Sequence, residues 1–368
     1  MTHPGSGSPS GRTLPPMRRY PIALAAALLV ILFAPVPAFA GPGAVDGYVW
    51  VDQPSTVDYT VGHAWRHNST GGDITVHRPS AGVYRLTFEG MAGSGGVAHA
   101  RPYGSGNTAI CTVAGWRSGG SDQVVDVHCF DAAGTAADTR FVAGFTNRTG
   151  LPGTLAYLFA SKASPPLGVP YEPKSWYDST GGTPQVWRQS VGVYMMIVGT
   201  VDSHYPVDHH DGVYQVTAYG RGPARCEVHG ENDETPTPIA VFCHDAAGAP
   251  VDTRFVVTYA HGVSALGTGA ASANAHYSYF SDDLTSWYLA GYRNAGGATG
   301  FTRWGIGNYR VTFPGLAMGG GHATAGSRGN PSTYCHIAWW GPGDATVNCF
   351  DRTTDLPADS EFSVLMVD

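Results

Sequence analysis

Charge is scarce in this sequence. Asp, Glu, Lys and Arg make up 13% of the 368 residues, and lysine occurs only as Lys162 and Lys174. No basic cluster is present and the formal net charge is −7, which excludes nucleic acid as a partner class. Catalytic signatures are missing too. There is no Gly-x-Ser-x-Gly, no His-Glu-x-x-His, no phosphate-binding glycine loop with its lysine, and no Gly-x-Gly-x-x-Gly. The 50 glycines show no strict three-residue period, so collagen is excluded. Only one apolar run is long enough to suggest a membrane role, and it lies near the start of the chain.

What is present points to short strands. The chain is 43% hydrophobic, and its 19 Tyr, 14 Phe and 9 Trp argue against disorder. High glycine, low charge and many aromatics favour strands and turns over helices. The length predicts two or three domains.

Residues 1–40 read as a secretory signal. Arg12, Arg18 and Arg19 form a positive start without acidic residues, and Ile22–Ala34 is an apolar run of 13 residues. A spanning helix needs roughly 20 residues, so this run predicts a cleaved signal and no stable membrane insertion after its removal. Ala38-Phe39-Ala40 is a small-x-small cleavage site, which places the mature start at Gly41 after Ala40. Removing three arginines leaves 21 − 3 = 18 basic against 28 acidic residues, a mature charge of −10.

The mature chain repeats itself. Cys129-Phe130-Asp131-Ala132-Ala133-Gly134 followed by Asp138-Thr139-Arg140-Phe141 returns as Cys243-His244-Asp245-Ala246-Ala247-Gly248 followed by Asp252-Thr253-Arg254-Phe255. A looser third copy is Cys349-Phe350-Asp351 with Asp359-Ser360-Glu361-Phe362. Gly82-Val83-Tyr84, Gly192-Val193-Tyr194 and Gly307-Asn308-Tyr309 recur upstream, as do Arg78, Arg188 and Arg303. The offsets are 106 to 116 residues, so each copy is the size of a domain. We expect repeats over residues 41–150, 151–265 and 266–368.

Within a repeat the period is two. Tyr84, Leu86 and Phe88 alternate with Arg85, Thr87 and Glu89, the pattern of a strand with one wet face. Turn signals divide each repeat into roughly seven or eight strands, the range of a sandwich or jelly roll. The fold class expected is all-β: three tandem antiparallel β-sandwich or jelly-roll-like repeats, each with one hairpin disulfide. Cysteines opposite each other in a hairpin are equidistant from its turn. The pairs Cys111–Cys129, Cys226–Cys243 and Cys335–Cys349 all have turn-like midpoints, whereas no Cys-x-x-Cys metal spacing exists. In the second repeat Val193, Met195 and Ile197 make both strand faces apolar, which predicts that the flanking repeats or their linkers cover this strand.

The recurring cysteine–aspartate pattern of residues 129–141, 243–255 and 349–362 resembles repeats in uncharacterised secreted proteins of high-GC Gram-positive bacteria. The resemblance implies export and repetition, and it lends no catalytic residue. The third copy departs from it with Arg352-Thr353-Thr354.

Candidate site residues are few. The recurring aspartates read as turn residues, and the recurring arginines as making structural salt bridges or carbonyl contacts in preference to binding an anionic ligand. Trp116, Trp339 and Trp340 follow the first cysteine of their repeats, near a hairpin tip, where indole faces can stack on sugar rings or close the core. His204, Asp208, His209, His210 and Asp211 offer imidazole and carboxylate ligands for a metal, or a solvated loop. The expectation is a secreted, non-catalytic protein that binds polysaccharide or another cell-surface component, with no cofactor. A structural or adhesive exoprotein is the alternative, and a metal-assisted hydrolase using the histidine loop is the third.

Overall fold

The computed structural model describes residues 44–148, 153–198, 212–231, 238–261, 266, 272–279, 287–290, 299–316 and 320–367, with 230–231, 272–279 and 287–290 described by backbone alone. The signal with its Ala40–Gly41 cleavage site lies outside these residues. So does the His204–Asp211 loop. Among the described residues no helix is long and apolar enough to cross a membrane.

The first module runs β1 (Val45–Val51), β2 (Asp58–Thr60), β3 (Arg66–Asn68), β4 (Ile74–Ser80), β5 (Val83–Phe88), β6 (Val97–Pro102), β7 (Ile110–Gly119), β8 (Asp122–Phe130) and β9 (Phe141–Asn147). Its strands form two antiparallel sheets, β3-β1-β9-β6 and β4-β5-β8-β7, with short β2 added beside β4. The second runs β10 (Thr154–Ala160), β11 (Ser175–Asp178), β12 (Gln185–Ser190), β13 (Val193–Ile197), β14 (Val213–Tyr219), β15 (Ala224–Glu231), β16 (Ile239–Asp245) and β17 (Arg254–His261). Its sheets are β11-β10-β17-β14 and β12-β13-β16-β15, and β14 pairs in parallel with β7 of the first module at Tyr219–Val113, so that the first of these runs on into that module's second sheet as nine strands. The third runs β18 (Ser272–Tyr279), β19 (Trp287–Ala290), β20 (Gly300–Gly305), β21 (Asn308–Thr312), β22 (His322–Arg328), β23 (Thr333–Gly341), β24 (Asp344–Asp351) and β25 (Glu361–Val367). Its sheets are β19-β18-β25-β22 and β20-β21-β24-β23. One strand order is thus written three times, and the protein is all-β as its periodicity predicts.

The two sheets of a module differ in sequence and in burial. β5 and β21 alternate, with Tyr84, Leu86, Tyr309 and Val311 inward and Arg85 and Arg310 outward. β9, β17 and β25 are apolar almost throughout and are buried on both faces. A doubly apolar strand must be covered on both sides. One face of each such sheet packs on its own outer sheet. The other meets the neighbouring modules: Tyr48 and Val142 of the first, Tyr157 and Val256 of the second, and Leu365 and Val367 of the third join one buried cluster. We therefore call these the inner sheets. Met195 and Ile197 are half-buried on the outward face of the second module's outer sheet, and the modules meet through their inner sheets and the outer-sheet edge strands β7, β15 and β23.

All three expected disulfides form. Cys111–Cys129, Cys226–Cys243 and Cys335–Cys349 join directly opposed residues of β7–β8, β15–β16 and β23–β24, with Cα atoms 4.1 Å apart in each. Each closes a loop whose chain-entropy contribution is about 3 kcal/mol. Such bonds persist in oxidising compartments.

The modules grip one another in a closed cycle. The Gly220 amide of the second donates to Val113 O of the first at 3.0 Å, and the Gly104 amide of the first donates to Ile337 O of the third at the same distance. Between second and third, the Ser327 amide donates to Glu227 Oε2 at 3.2 Å, and Arg101 of the first module also pairs with Glu227 at 2.9 Å. This buried ion pair ties all three modules together.

Candidate functional site

The recurring polar residues close the modules. Arg78 donates Nε and Nη2 to the two oxygens of Asp138 (2.7 and 2.5 Å), while the Gly82 amide and the Tyr84 hydroxyl donate to the same carboxylate at 2.9 and 3.0 Å. Arg188, Gly192 and Asp252 repeat the ion pair and the glycine contact. Arg303, Gly307, Tyr309 and Asp359 repeat the whole set. The Arg78 hydrogen bond holds the Asp138 carboxyl below its usual range. Burial opposes the same shift at Asp252 and Asp359, and the donated hydrogen bonds prevail. The glycine of this clasp sits at φ +69, +69 and +62°, and a Cβ there would overlap the carbonyl oxygen of Cys129, Cys243 or Cys349. These arginines are therefore committed to their own carboxylates.

The recurring aspartates shape turns. Asp131 accepts from the Thr135 amide, Asp245 from those of Ala247 and Ala249, and Asp351 from those of Thr353 and Thr354, all at 2.8–3.0 Å. In the third copy the turn is one residue longer. Asp355 takes the left-handed conformation (φ 53°) that Gly134 and Gly248 supply in the others.

The tryptophans divide. Trp340 is 5% exposed and meets Trp50 and Tyr103 of the first module at centroid distances of 3.8 and 5.2 Å. Trp116 is half-buried and meets the equivalent residues of the second, Phe159 and Tyr219, at 5.3 and 5.5 Å. Both indoles fill junctions between modules, and burial removes Trp340 as a stacking platform for a ligand. Trp339 is 55% exposed. No family profile, curated protein or solved structure significantly matches this chain. Function must therefore be read from the surface.

A second exposed indole lies on the same sheet as Trp339. Trp304, 56% exposed, is at a bulge of β20, and the Arg310 guanidinium lies 5.8 Å from its ring centre. The cross-strand row Thr302–Arg310–Thr346–Trp339 runs over β20, β21, β24 and β23. Tyr309, Val311, Ala345 and Val347 point inward beneath it. Arg310 donates Nε to Asp344 Oδ2 at 2.7 Å, and its Nη2 reaches the same oxygen. The outer face of the third module thus carries an indole towards each side and a neutralised arginine between.

The other two outer faces differ. In the first module Gly115 stands at the register position of Trp339, and Asp126, at that of Thr346, bridges Arg85 and Arg117. In the second the row reads Trp187–Met195–Ala240–His229, beside Val193 and Phe242. Sequence reasoning missed Trp304, although aligning Arg78-Pro79-Ser80-Ala81-Gly82 with Arg303-Trp304-Gly305-Ile306-Gly307 exposes it as a substitution peculiar to the third copy.

Histidines occupy the junctions. His99 bonds Thr217 and Thr258 at 3.0 and 2.8 Å, His336 donates Nε2 to Gly104 O at 3.1 Å, and His322 stacks on Tyr48. Burial holds His99 and His322 down to about 3 and His336 to about 4. His244, beside Arg352, is likewise lowered to about 4, first by burial and then by that guanidinium. These imidazoles are neutral structural groups. Among the described residues no cluster of His, Cys, Asp and Glu could hold a metal ion.

Proposed function

We propose that this is a secreted, non-catalytic binding protein that engages polysaccharide on the outer face of its third module. The observation that carries the reading is the pair of exposed indoles, Trp304 and Trp339, on one face with Arg310 between them. The apolar C–H faces of pyranose rings stack on indole, and polar side chains beside it meet the hydroxyls. Both indoles lie on a sheet whose inward residues already complete a core, which leaves their ring faces open to a ligand. Export is supported by the signal-like first 40 residues and by three disulfides.

Glycan-array binding by the mature protein tests this. We expect polysaccharide binding that Trp339→Ala abolishes while the thermal midpoint is unchanged. Binding that survives both Trp304→Ala and Trp339→Ala would refute the assignment of the site. A second reading, an adhesive exoprotein, draws on the second module's face, where Trp187, Val193, Met195 and Phe242 are all half-buried and apolar. Self-association lost on Met195→Glu would favour it.

A further inference from the structure

We infer that the ligand of the third-module face is an extended, uncharged glycan chain that lies across the strands and spans both indoles, an inference that rests on the polysaccharide reading above. Three observations carry it. The first is spacing. Trp304 belongs to β20 and Trp339 to β23, with β21 and β24 between them, so three inter-strand intervals of about 4.8 Å put their backbones roughly 14 Å apart across the sheet. One sugar ring cannot touch both, whereas several linked rings can. The second is charge. Arg310 is tied to Asp344, and Arg303 beside Trp304 is tied to Asp359. A uronate would have to be desolvated against arginines whose charge is already neutralised, on a protein of mature charge −10. The third is the polar surface between the indoles. Thr302, Thr312 and Thr346 share the face, and Arg310 uses only Nε and Nη2 on Asp344. Hydroxyls and an amide-like donor suit sugar hydroxyls, which both give and accept hydrogen bonds. The cation-attracting face of Trp304 already has the Arg310 guanidinium as its neighbour, which leaves little reason for a cationic ligand.

The test uses the mature protein with mixed-linkage β-glucan, neutral gluco-oligosaccharides of two to six units, and polygalacturonate, read by affinity electrophoresis and calorimetry. The expected result is retardation by the β-glucan, none by polygalacturonate, and an affinity that rises about tenfold or more between the disaccharide and the longest oligomer. Trp304→Ala and Trp339→Ala should each abolish that gain with length, with thermal midpoints unchanged because both side chains are exposed. Equal affinity for short and long oligomers, or tighter binding of polygalacturonate, overturns this inference and leaves glycan binding intact. Absence of binding to every glycan on the array overturns the underlying reading as well.

Discussion

The outer sheets of the first and third modules have the same strand order, the same opposed disulfide, the same clasp and a bulge at the same place, Ala114 in one and Ala338 in the other. One presents Arg85, Asp126 and Arg117 to solvent, and the other presents Trp304, Arg310 and Trp339. The residues beneath do not diverge in this way: Tyr84 and Tyr309, Phe141 and Phe362, Trp116 and Trp340 hold equivalent positions. Inward side chains are constrained by packing and by their hydrogen bonds. Outward ones are free to specialise, because nothing in the fold depends on them. Repetition here therefore multiplies the scaffold and not the outward face, so the proposed binding face occurs once and avidity from three equal sites is not expected.

The largest effect should come from acid. His336 makes to Gly104 O the contact that Thr112 Oγ1 makes to Gly220 O at 2.9 Å. Protonation would place a proton on His336 Nδ1, which is buried without a partner. A base whose value falls on folding, from 6.5 to about 3 or 4, leaves the unfolded chain holding more protons. Stability is then full above pH 6.5 and falls as pH drops towards 4, by up to about 1.4 kcal/mol per pH unit for each histidine. The clasp carboxylates, lowered from 3.8, add their own loss only below that pH. Urea midpoints across pH 7 to 4 should show the decline, and His336→Thr, which copies the first module, should make it shallower. A flat profile would separate the junction histidines from stability.

Next come the paired indoles. Trp340→Ala should cost about 3–5 kcal/mol, and half-buried Trp116→Ala less, measured by denaturant unfolding. Equal costs would mean that the two junctions are packed alike. Third, Asp138→Ala and Asp359→Ala should each cost about 1–3 kcal/mol, since buried Tyr84 and Tyr309 lose an acceptor in both modules. Unequal costs would break the equivalence of the clasps. The smallest effect belongs to the outer faces. Asp126→Asn should change stability by about 0.5 kcal/mol or less, because it breaks only exposed ion pairs. Moreover, the combined change Pro79→Trp, Gly115→Trp and Asp126→Thr should give the first module a glycan-binding face of its own, read as raised retention on β-glucan.

Much of this was legible in the residues. The midpoints between cysteines gave the pairing, because opposition in a hairpin is a matter of counting. The recurrence of Arg78, Arg188 and Arg303 marked a structural role, although their pairing with Asp138, Asp252 and Asp359 came only with the fold. Trp304 stands out only when the three copies are aligned, because a lone tryptophan carries no signal of its own. The cyclic junctions were not legible, since Gly104 and Ile337 lie far apart in sequence, and neither residue type announces a partner.

Sequence by itself determined the strands, the three copies and the sulfur bridges, because each follows from local periodicity and spacing. It determined also that Trp339 and Trp340 must face opposite ways. Which of them meets solvent was decided only in three dimensions. Cys335 and Ile337 point inward, so an unbroken count of two would bury Trp339 and expose Trp340. The bulge at Ala338 advances the strand by one residue and reverses that assignment. The indole thus turned inward fills the seam with the first module, and the other is left on the face where we place the ligand.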